Sequence, residues 1–313
     1  MIKAGAAGTR ASKAVLPLMV AATGAATHVE ETPMAKLALG PIGVVVGRPG
    51  DGDVFLDAAT LLEELGYATI WLAGPSITGF EQVRSVVAAT RNVQIAGGII
   101  SVDQFDAADV AAWYGEIEAT HPGRFIVGLG GAHGPKPLQT LTSYLDALDT
   151  VPPTVPAAAR VLAALGPRML QLARDRAAGA YPLLVTPDYT ARARSLLGED
   201  AVLVVGQFVI VDADPERARA LARGPLGFMT AGAGSGYAAN LRRMGFAEEE
   251  IAQVSDRLVD AVVAWGDLDV VAARIVEHLR AGADQVVLSV VSADPPGSLP
   301  MRQWRQLAKA LIS

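Results

Sequence analysis

Along most of the chain, hydrophobic and polar positions follow two alternating patterns. Eight short runs are almost continuously apolar, as expected of strands buried on both faces. These runs are residues 37–46, 69–74, 93–100, 124–130, 160–166, 181–186, 201–211 and 285–292. Between them, apolar residues recur every three or four positions, which predicts amphipathic helices. The predicted helices are residues 53–66, 79–90, 106–120, 137–149, 167–179, 187–198 and 301–312.

Eight β/α units in roughly 280 residues are typical of a TIM (β/α)8 barrel, and this α/β fold is our prediction, with a doubly wound parallel sheet as the alternative. The barrel domain is predicted to span residues 36–313. Residues 212–282 exceed what one crossover helix requires, so we interpret them as a helical insertion before the last strand. Within this insertion the glycine-rich stretch 224–246 is predicted to be a mobile cover.

The first 35 residues precede the barrel pattern and are predicted to form a flexible N-terminal extension. Cationic residues are followed by an apolar run from Ala14 to Ala22, a faint likeness to a secretory signal. This run is too short to span a bilayer. We favour a flexible extension, or sequence upstream of a start at Met34.

Composition narrows the classes of function. The net charge is −6 and no run of Lys or Arg occurs, which argues against nucleic acid or an anionic membrane as partner. The chain has no cysteine, which excludes disulfides and a thiol nucleophile. Its four histidines lack the spacings of zinc sites, so no metal is expected. These features favour a cytoplasmic protein that acts on a small molecule.

In a TIM barrel the active site lies at the carboxyl ends of the strands. Here those ends are rich in glycine and poor in acids and bases, which suits a large flat ligand that the backbone approaches closely. The nucleophile-elbow and Walker A motifs do not occur. In GLGGAHG, His133 stands where the dinucleotide fingerprint needs its last glycine.

One strand-to-helix turn has the character of an anion site. In RVLAALGPRML, Pro167 stands in the first helical turn, where its missing N–H costs nothing. The next amides are free to bind a phosphate, with Arg168 close by. The residues alone also allow an ordinary turn.

The order of motifs resembles the bacterial luciferase-like monooxygenase superfamily, especially its coenzyme F-420-dependent oxidoreductases. The resemblance covers residues 36–312 and rests on GYATIWLAG, VQIAGGII, HPGRFIVGLGGAHG, RVLAALGPRMLQLARDRAAGAYPLLVTP and AGADQVVLSVVS. It implies a barrel whose mouth holds a flavin or 5-deazaflavin, and a homodimer.

The resemblance also implies roles for individual residues. A non-prolyl cis peptide at Gly98-Ile99 would support one face of the cofactor, whereas the residues alone favour a simple bulge there. The cofactor-binding residues implied are Gly98, Ile99, Gly128, Gly130, Gly131, Gly166, Pro167, Arg168, Met169, Thr186 and Pro187. The phosphate would bind at the four of these that run from Gly166 to Met169.

The chain departs from the family pattern in its catalytic groups. Many F-420-dependent members have an acidic residue and a histidine after the second strand, where this chain has residues 73–76, AGPS. His133 takes the place of a glutamate found in some related dehydrogenases. It is a candidate general acid, since an imidazole titrates at about 6.5, or else a solvent-facing loop residue. Ser76 is the second catalytic candidate.

The function expected is hydride transfer between coenzyme F-420 and a small organic substrate. Two alternatives are an FMN-dependent luciferase-like monooxygenase and a non-catalytic barrel that binds a flavin or deazaflavin.

Overall fold

The computed structural model describes residues 37–47, 52–232, 234–295 and 297–312. The predicted N-terminal extension, residues 1–35, lies outside this range. The strands are β1 Ile42–Val46, β2 Thr69–Ala73, β3 Gln94–Gly98, β4 Ile100–Ser101, β5 Phe125–Gly130, β6 Arg160–Leu162, β7 Gly179–Ala180, β8 Val202–Val211, β9 Val263–Gly266 and β10 Gln285–Val290.

Eight of these strands form a closed parallel barrel. The ring runs β1-β2-β3-β5-β6-β7-β8-β10, and β10 closes it by pairing with both β8 and β1. The dipeptide strand β4 continues β3 and pairs with β5, while β9 pairs with the last residues of β8, outside the ring. The predicted TIM barrel is confirmed, and closure excludes the open doubly wound sheet.

Helices cover the outside of the ring. They are α1 Gly52–Glu64, α2 Phe80–Ala89, α3 Ala107–Thr120, α4 Pro137–Thr150, α5 Pro167–Arg176, α6 Pro187–Leu197, α7 Pro215–Thr230, α8 Gly236–Arg243, α9 Glu248–Ala252, α10 Asp256–Val262, α11 Leu268–Arg280 and α12 Met301–Leu311. Within the described residues, none of these helices has the length and apolar character needed to cross a membrane.

The predicted strand at 181–186 is wrong. The strand at this position in the ring is β7, which ends at Ala180, and the chain meets β8 again only through a bridge from Leu183 to Gly206. Two features explain the early end of the strand. Pro182 has no N–H to donate to a ladder, and Leu184 has a left-handed backbone with φ of 57°. The apolar run is therefore a buried loop.

The insertion also differs from its prediction. It contains α7 to α11, and it also contains β9, which the sequence pattern did not predict. The glycine-rich stretch is mostly helical, since it forms the end of α7 and all of α8. Ala218, Ala222 and Leu226 recur every four residues and bury one face of α7, which outweighs the weak helix propensity of the glycines.

The interior of the barrel is filled by side chains. Trp71 is fully buried, and its ring centroid lies 4.5 Å from that of Tyr181. The indole Nε1 of Trp71 donates to Thr69 Oγ1 at 2.9 Å. With the interior occupied, the carboxyl ends of the strands are the part of the ring open to a ligand.

Candidate cofactor site

The mouth of the barrel has a floor made by Trp71 and by strands that approach very closely. A Cβ added at Gly128 would lie 1.8 Å from the carbonyl oxygen of Gly97 and 3.3 Å from Trp71 Cζ3. A Cβ at Gly98 would lie 3.2 Å from Trp71 Cβ. Glycine is therefore required at Gly128, where β3 and β5 meet above the indole.

The Gly98-Ile99 peptide is cis, as the resemblance predicted. It joins β3 to β4, and Ile99 lies half-buried between the ends of β2 and β5. A Cβ at Gly74 would lie 2.7 Å from the Ile99 carbonyl oxygen, and one at Gly130 would lie 2.9 Å from Ile99 Cγ1. The ends of three neighbouring strands thus meet closely around Ile99.

Two helices begin side by side next to this mouth. Both α4 and α5 begin with a proline, Pro137 and Pro167, and neither has a side-chain cap. The amides of their first turns are therefore open to an external acceptor. Between them lies an open groove of about 690 Å³, which we call the α4–α5 groove. Its lining is Pro135, Lys136, Pro137, Leu138, Gln139, Gly166, Pro167, Arg168, Met169 and Arg243.

The α4–α5 groove is cationic. Its lining includes Lys136, Arg168 and Arg243 and no carboxylate. Arg243 comes from α8 in the insertion, and its Nη2 would lie 3.5 Å from a Cβ added at Gly166. Sequence reasoning missed Arg243, since only the folding of the glycine-rich stretch into α8 brings this residue to the start of α5. Gly166, Pro167, Arg168 and Met169 line the groove, and their binding of a phosphate stays a prediction.

Tyr189 on α6 fixes the strand end that leads into the groove. Its hydroxyl donates to the carbonyl of Leu165 at 2.7 Å, and burial raises the pKa of Tyr189 well above its usual value. The phenol therefore stays protonated as a donor. Thr186 Oγ1 accepts from the Tyr189 amide at 3.3 Å and caps α6, which begins at Pro187. Neither Thr186 nor Pro187 lines the groove, and their cofactor contact stays a prediction.

His133 lies three residues beyond β5 and contacts a residue that the sequence reasoning missed. Its ring Nδ1 is 2.7 Å from Asp103 Oδ2, and its side chain is 85% exposed. Burial tends to raise the pKa of Asp103, but hydrogen bonds from the His133 amide, the His133 ring and the Ala132 amide outweigh it and lower the pKa. The sequence does place Asp103 and His133 after two adjacent strands, and this is the feature from which their contact could have been predicted.

Ser76, the second catalytic candidate, ends a 3-10 turn that follows β2. A Cβ at Gly47, just beyond β1, would lie 3.8 Å from its hydroxyl. His133 follows β5, two strands further around the ring. Across the described parts of the chain, no group of three or more His, Asp or Glu side chains is arranged to hold a metal ion.

A closed ring of eight parallel strands, with helices outside and the candidate site at the strands' carboxyl ends, defines the chain as an α/β TIM barrel. The structure of coenzyme F-420-dependent tetrahydromethanopterin reductase from Methanopyrus kandleri has the same fold. Its TM-score is 0.68, with 17% identity over 88% of this chain and 99% of that chain. No protein-family model and no curated protein matches the sequence.

Two further solved structures share this fold, and each is a complex with a bound molecule. One is an F-420-dependent secondary alcohol dehydrogenase in complex with an F-420-acetone adduct, with TM-score 0.66 and 14% identity over 88% of this chain and all (100%) of that chain. The other is the oxygenating constituent of 3,6-diketocamphane monooxygenase from Pseudomonas putida in complex with FMN. Its TM-score is 0.59, with 13% identity over 88% of this chain and 98% of that chain. The resemblance inferred from the motifs is confirmed for the fold.

Proposed function

We propose that this protein is an oxidoreductase that binds coenzyme F-420 at the barrel mouth and transfers a hydride between it and a small organic substrate. The observation that carries the proposal is the α4–α5 groove, where three cationic side chains and two uncapped helix starts face one open space. Such a site suits an anion with more than one charged group.

The chemistry of the cofactor supports this choice. F-420 carries a phosphodiester followed by several carboxylates, whereas FMN ends in a single phosphate. One phosphate would occupy the amides at the start of α5 with Arg168. Lys136 and Arg243 are then available for the additional carboxylates, and the lining adds no acidic group to repel them.

The chain's own residues would bind, orient and shield the reacting ring. Ile99 and the glycines at the ends of β2, β3 and β5 offer a flat apolar support, and Trp71 closes the barrel below it. His133 would give or take a proton at the substrate. The cofactor supplies the hydride acceptor or donor; the barrel supplies the binding, the orientation and the exclusion of water.

FMN is the second candidate, supported by the fold shared with the FMN-containing camphane monooxygenase component. A single phosphate also fits the start of α5. The two candidates differ in chemistry, because a deazaflavin does not readily activate oxygen whereas a reduced flavin does.

Parallel titrations test the proposal. We expect the protein to quench the fluorescence of F-420 and to shift its absorbance. These changes should occur at F-420 concentrations well below the FMN concentrations needed for binding. Tighter binding of FMN, with oxygen uptake when reduced FMN is supplied, would replace the proposal with the monooxygenase. Tight F-420 binding with no turnover across a broad panel of alcohols, aldehydes and enones would leave a non-catalytic binding barrel.

A further inference from the structure

Asp103 and His133 form a pair that joins two neighbouring loops of the mouth. Asp103 follows β4 and His133 follows β5, 30 residues later. Asp103 Oδ2 accepts twice from His133, from the ring Nδ1 at 2.7 Å and from the backbone amide at 3.1 Å. The two bonds fix both the ring and the backbone of His133 against one carboxylate oxygen.

The loop backbone is shaped around this carboxylate. Gly131 and Ala132 both have left-handed backbones, with φ of 95° and 58°. The amides of Ala132 and His133 both donate to Asp103. On the other side, Ser101 Oγ accepts from the Asp103 amide at 3.3 Å. The pair therefore has several anchors, unlike an isolated surface ion pair.

This arrangement determines which ring nitrogen carries the proton in neutral His133. An ionised carboxylate only accepts hydrogen bonds, so Nδ1 must be the donor. Nε2 is then the acceptor, and the 85% exposure of the side chain leaves the ring accessible. A histidine in this tautomer takes a proton at Nε2 and returns it from the same atom.

We propose that Asp103 is the positioning residue of His133: it holds the ring with Nδ1 protonated, so that Nε2 exchanges the proton that accompanies hydride transfer. In substrate oxidation the hydride leaves carbon for the cofactor, and the hydroxyl proton passes to Nε2. In substrate reduction the hydride returns to the carbon, and Nε2 returns the proton to the oxygen. The tautomer follows from the geometry alone, whereas the proton transfer rests on the proposed function.

The tautomer is measured directly by two-bond ¹H–¹⁵N correlation spectra of the full-length, ¹⁵N-labelled protein. The chain has four histidines, and the spectrum of His133→Gln assigns the signal of His133 by its loss. At a pH where His133 is neutral, we expect the Nδ1–H form to predominate. Asp103→Ala should return the ring to the mixture of a free histidine, in which Nε2–H predominates.

Two variants make this measurement specific. Asp103→Asn should keep the Nδ1–H form, because the loop amides still require an oxygen acceptor at this position. Asp106→Ala, three residues further along the same segment, should leave the His133 signal unchanged, since the Asp106 side chain makes no capping bond to α3. A His133 signal that is the same in Asp103→Ala and in the wild type would overturn the inference.

The proton transfer is tested separately, with F-420 and the same broad panel of alcohols, aldehydes and enones as probes. Asp103→Ala should lower kcat by about 10- to 1000-fold with the F-420 dissociation constant unchanged, and it should have no further effect in a His133→Ala background. If the two substitutions lowered kcat additively in the double variant, Asp103 would not act through His133. A tautomer change without any F-420-dependent turnover would refute the proposed function and leave the positioning intact, whereas turnover with an unchanged tautomer would refute the positioning alone.

Discussion

At the scale of single residues, the α4–α5 groove depends on a charge at Arg168 and on a missing side chain at Gly166. Arg168 is the second residue of α5, and its guanidinium lies at the helix end where the backbone amides favour an anion. Gly166 precedes the helix with an extended backbone, so any residue can adopt its conformation. Its Cβ position faces Arg243 at ordinary contact distance.

Arg168→Ala is expected to weaken F-420 binding by about 1–3 kcal/mol, the range for a charge-assisted hydrogen bond to a phosphate. The loss of affinity is measured as the change in the F-420 dissociation constant, obtained from a fluorescence titration. Arg280→Ala, an exposed arginine at the far end of α11, is the control and should bind as the wild type does. An unchanged dissociation constant in Arg168→Ala would make Arg168 an ordinary solvated helix residue.

Gly166→Val tests the space of the groove rather than its charge. The fold tolerates a Cβ at this position, so we expect the melting temperature to fall by about 4 °C or less. The added side chain would narrow the approach to the α5 amides, and F-420 should bind about tenfold more weakly, or about 1.4 kcal/mol. Gly166→Ala should have a smaller effect of the same sign. Wild-type affinity in the valine variant would show that the ligand does not reach this point.

The residue-level predictions succeeded where the signal was local in sequence. The Gly-Pro start of α5 occurs as its short motif predicts. The cis Gly98-Ile99 peptide was expected only from the family resemblance, and the bulge that the residues alone favoured there is wrong. Asp103 and Arg243 were missed because each meets its partner across a long stretch of chain. No periodicity or spacing links Arg243 to Gly166, since the contact exists only after α8 has formed.

At the scale of secondary-structure elements, α6 and α11 are joined by a buried histidine. His278 in the last turn of α11 is fully buried, and its Nδ1 lies 2.8 Å from Thr190 Oγ1 on α6. Burial, together with the positive charge of Arg274, lowers the pKa of His278 to about 4. The ring is therefore neutral in the folded protein throughout the physiological range.

This depressed pKa makes stability depend on pH. Between about pH 6.5 and pH 4 the unfolded chain binds a proton at His278 that the folded chain does not, so the free energy of unfolding falls as the pH is lowered. The slope for one such group approaches about 1.4 kcal/mol per pH unit. Urea unfolding of His278→Gln should lose this part of the pH dependence, whereas His121→Gln, with a more exposed ring, should retain it. If the free energy of unfolding depended equally on pH in the wild type, His278→Gln and His121→Gln, this role of His278 would be contradicted.

The helices and most strands follow the sequence pattern closely, because amphipathic period and buried apolar runs are local consequences of which face meets the core. Two segments, residues 181–186 and 224–246, do not follow this pattern. The run after β7 has the composition of a strand, but Pro182 removes a ladder donor. The glycine-rich stretch has the composition of a loop, but its Leu226 and Leu241 are buried in one apolar cluster with Leu258 of α10, and most of the stretch becomes helical.

At the scale of the whole molecule, the barrel is closed by pairing between the first and last strands of the ring. β1 pairs with β10 at three positions, from Ile42 opposite Val286 to Val44 opposite Leu288. The interior cluster also includes Leu37 among its partly buried members.

Deletion of residues 1–33 is accordingly expected to leave the fold and cofactor binding intact, since it retains Leu37 and the whole ring. Thermal melting and the F-420 titration of the shortened protein measure both properties. An insoluble product, or one that melts well below the full chain, would show that the extension belongs to the folded domain.

The most direct test of the central claim compares F-420 affinity in two charge-matched triple variants. One, Lys136→Gln/Arg168→Gln/Arg243→Gln, neutralises the α4–α5 groove; the other, Arg280→Gln/Arg305→Gln/Lys309→Gln, removes three exposed cations on α11 and α12. We expect the first to bind F-420 at least about 100-fold more weakly than the wild type, and the second to bind it normally. Equal affinity in the two variants would contradict the account, because the groove would then not hold the anionic end of the cofactor.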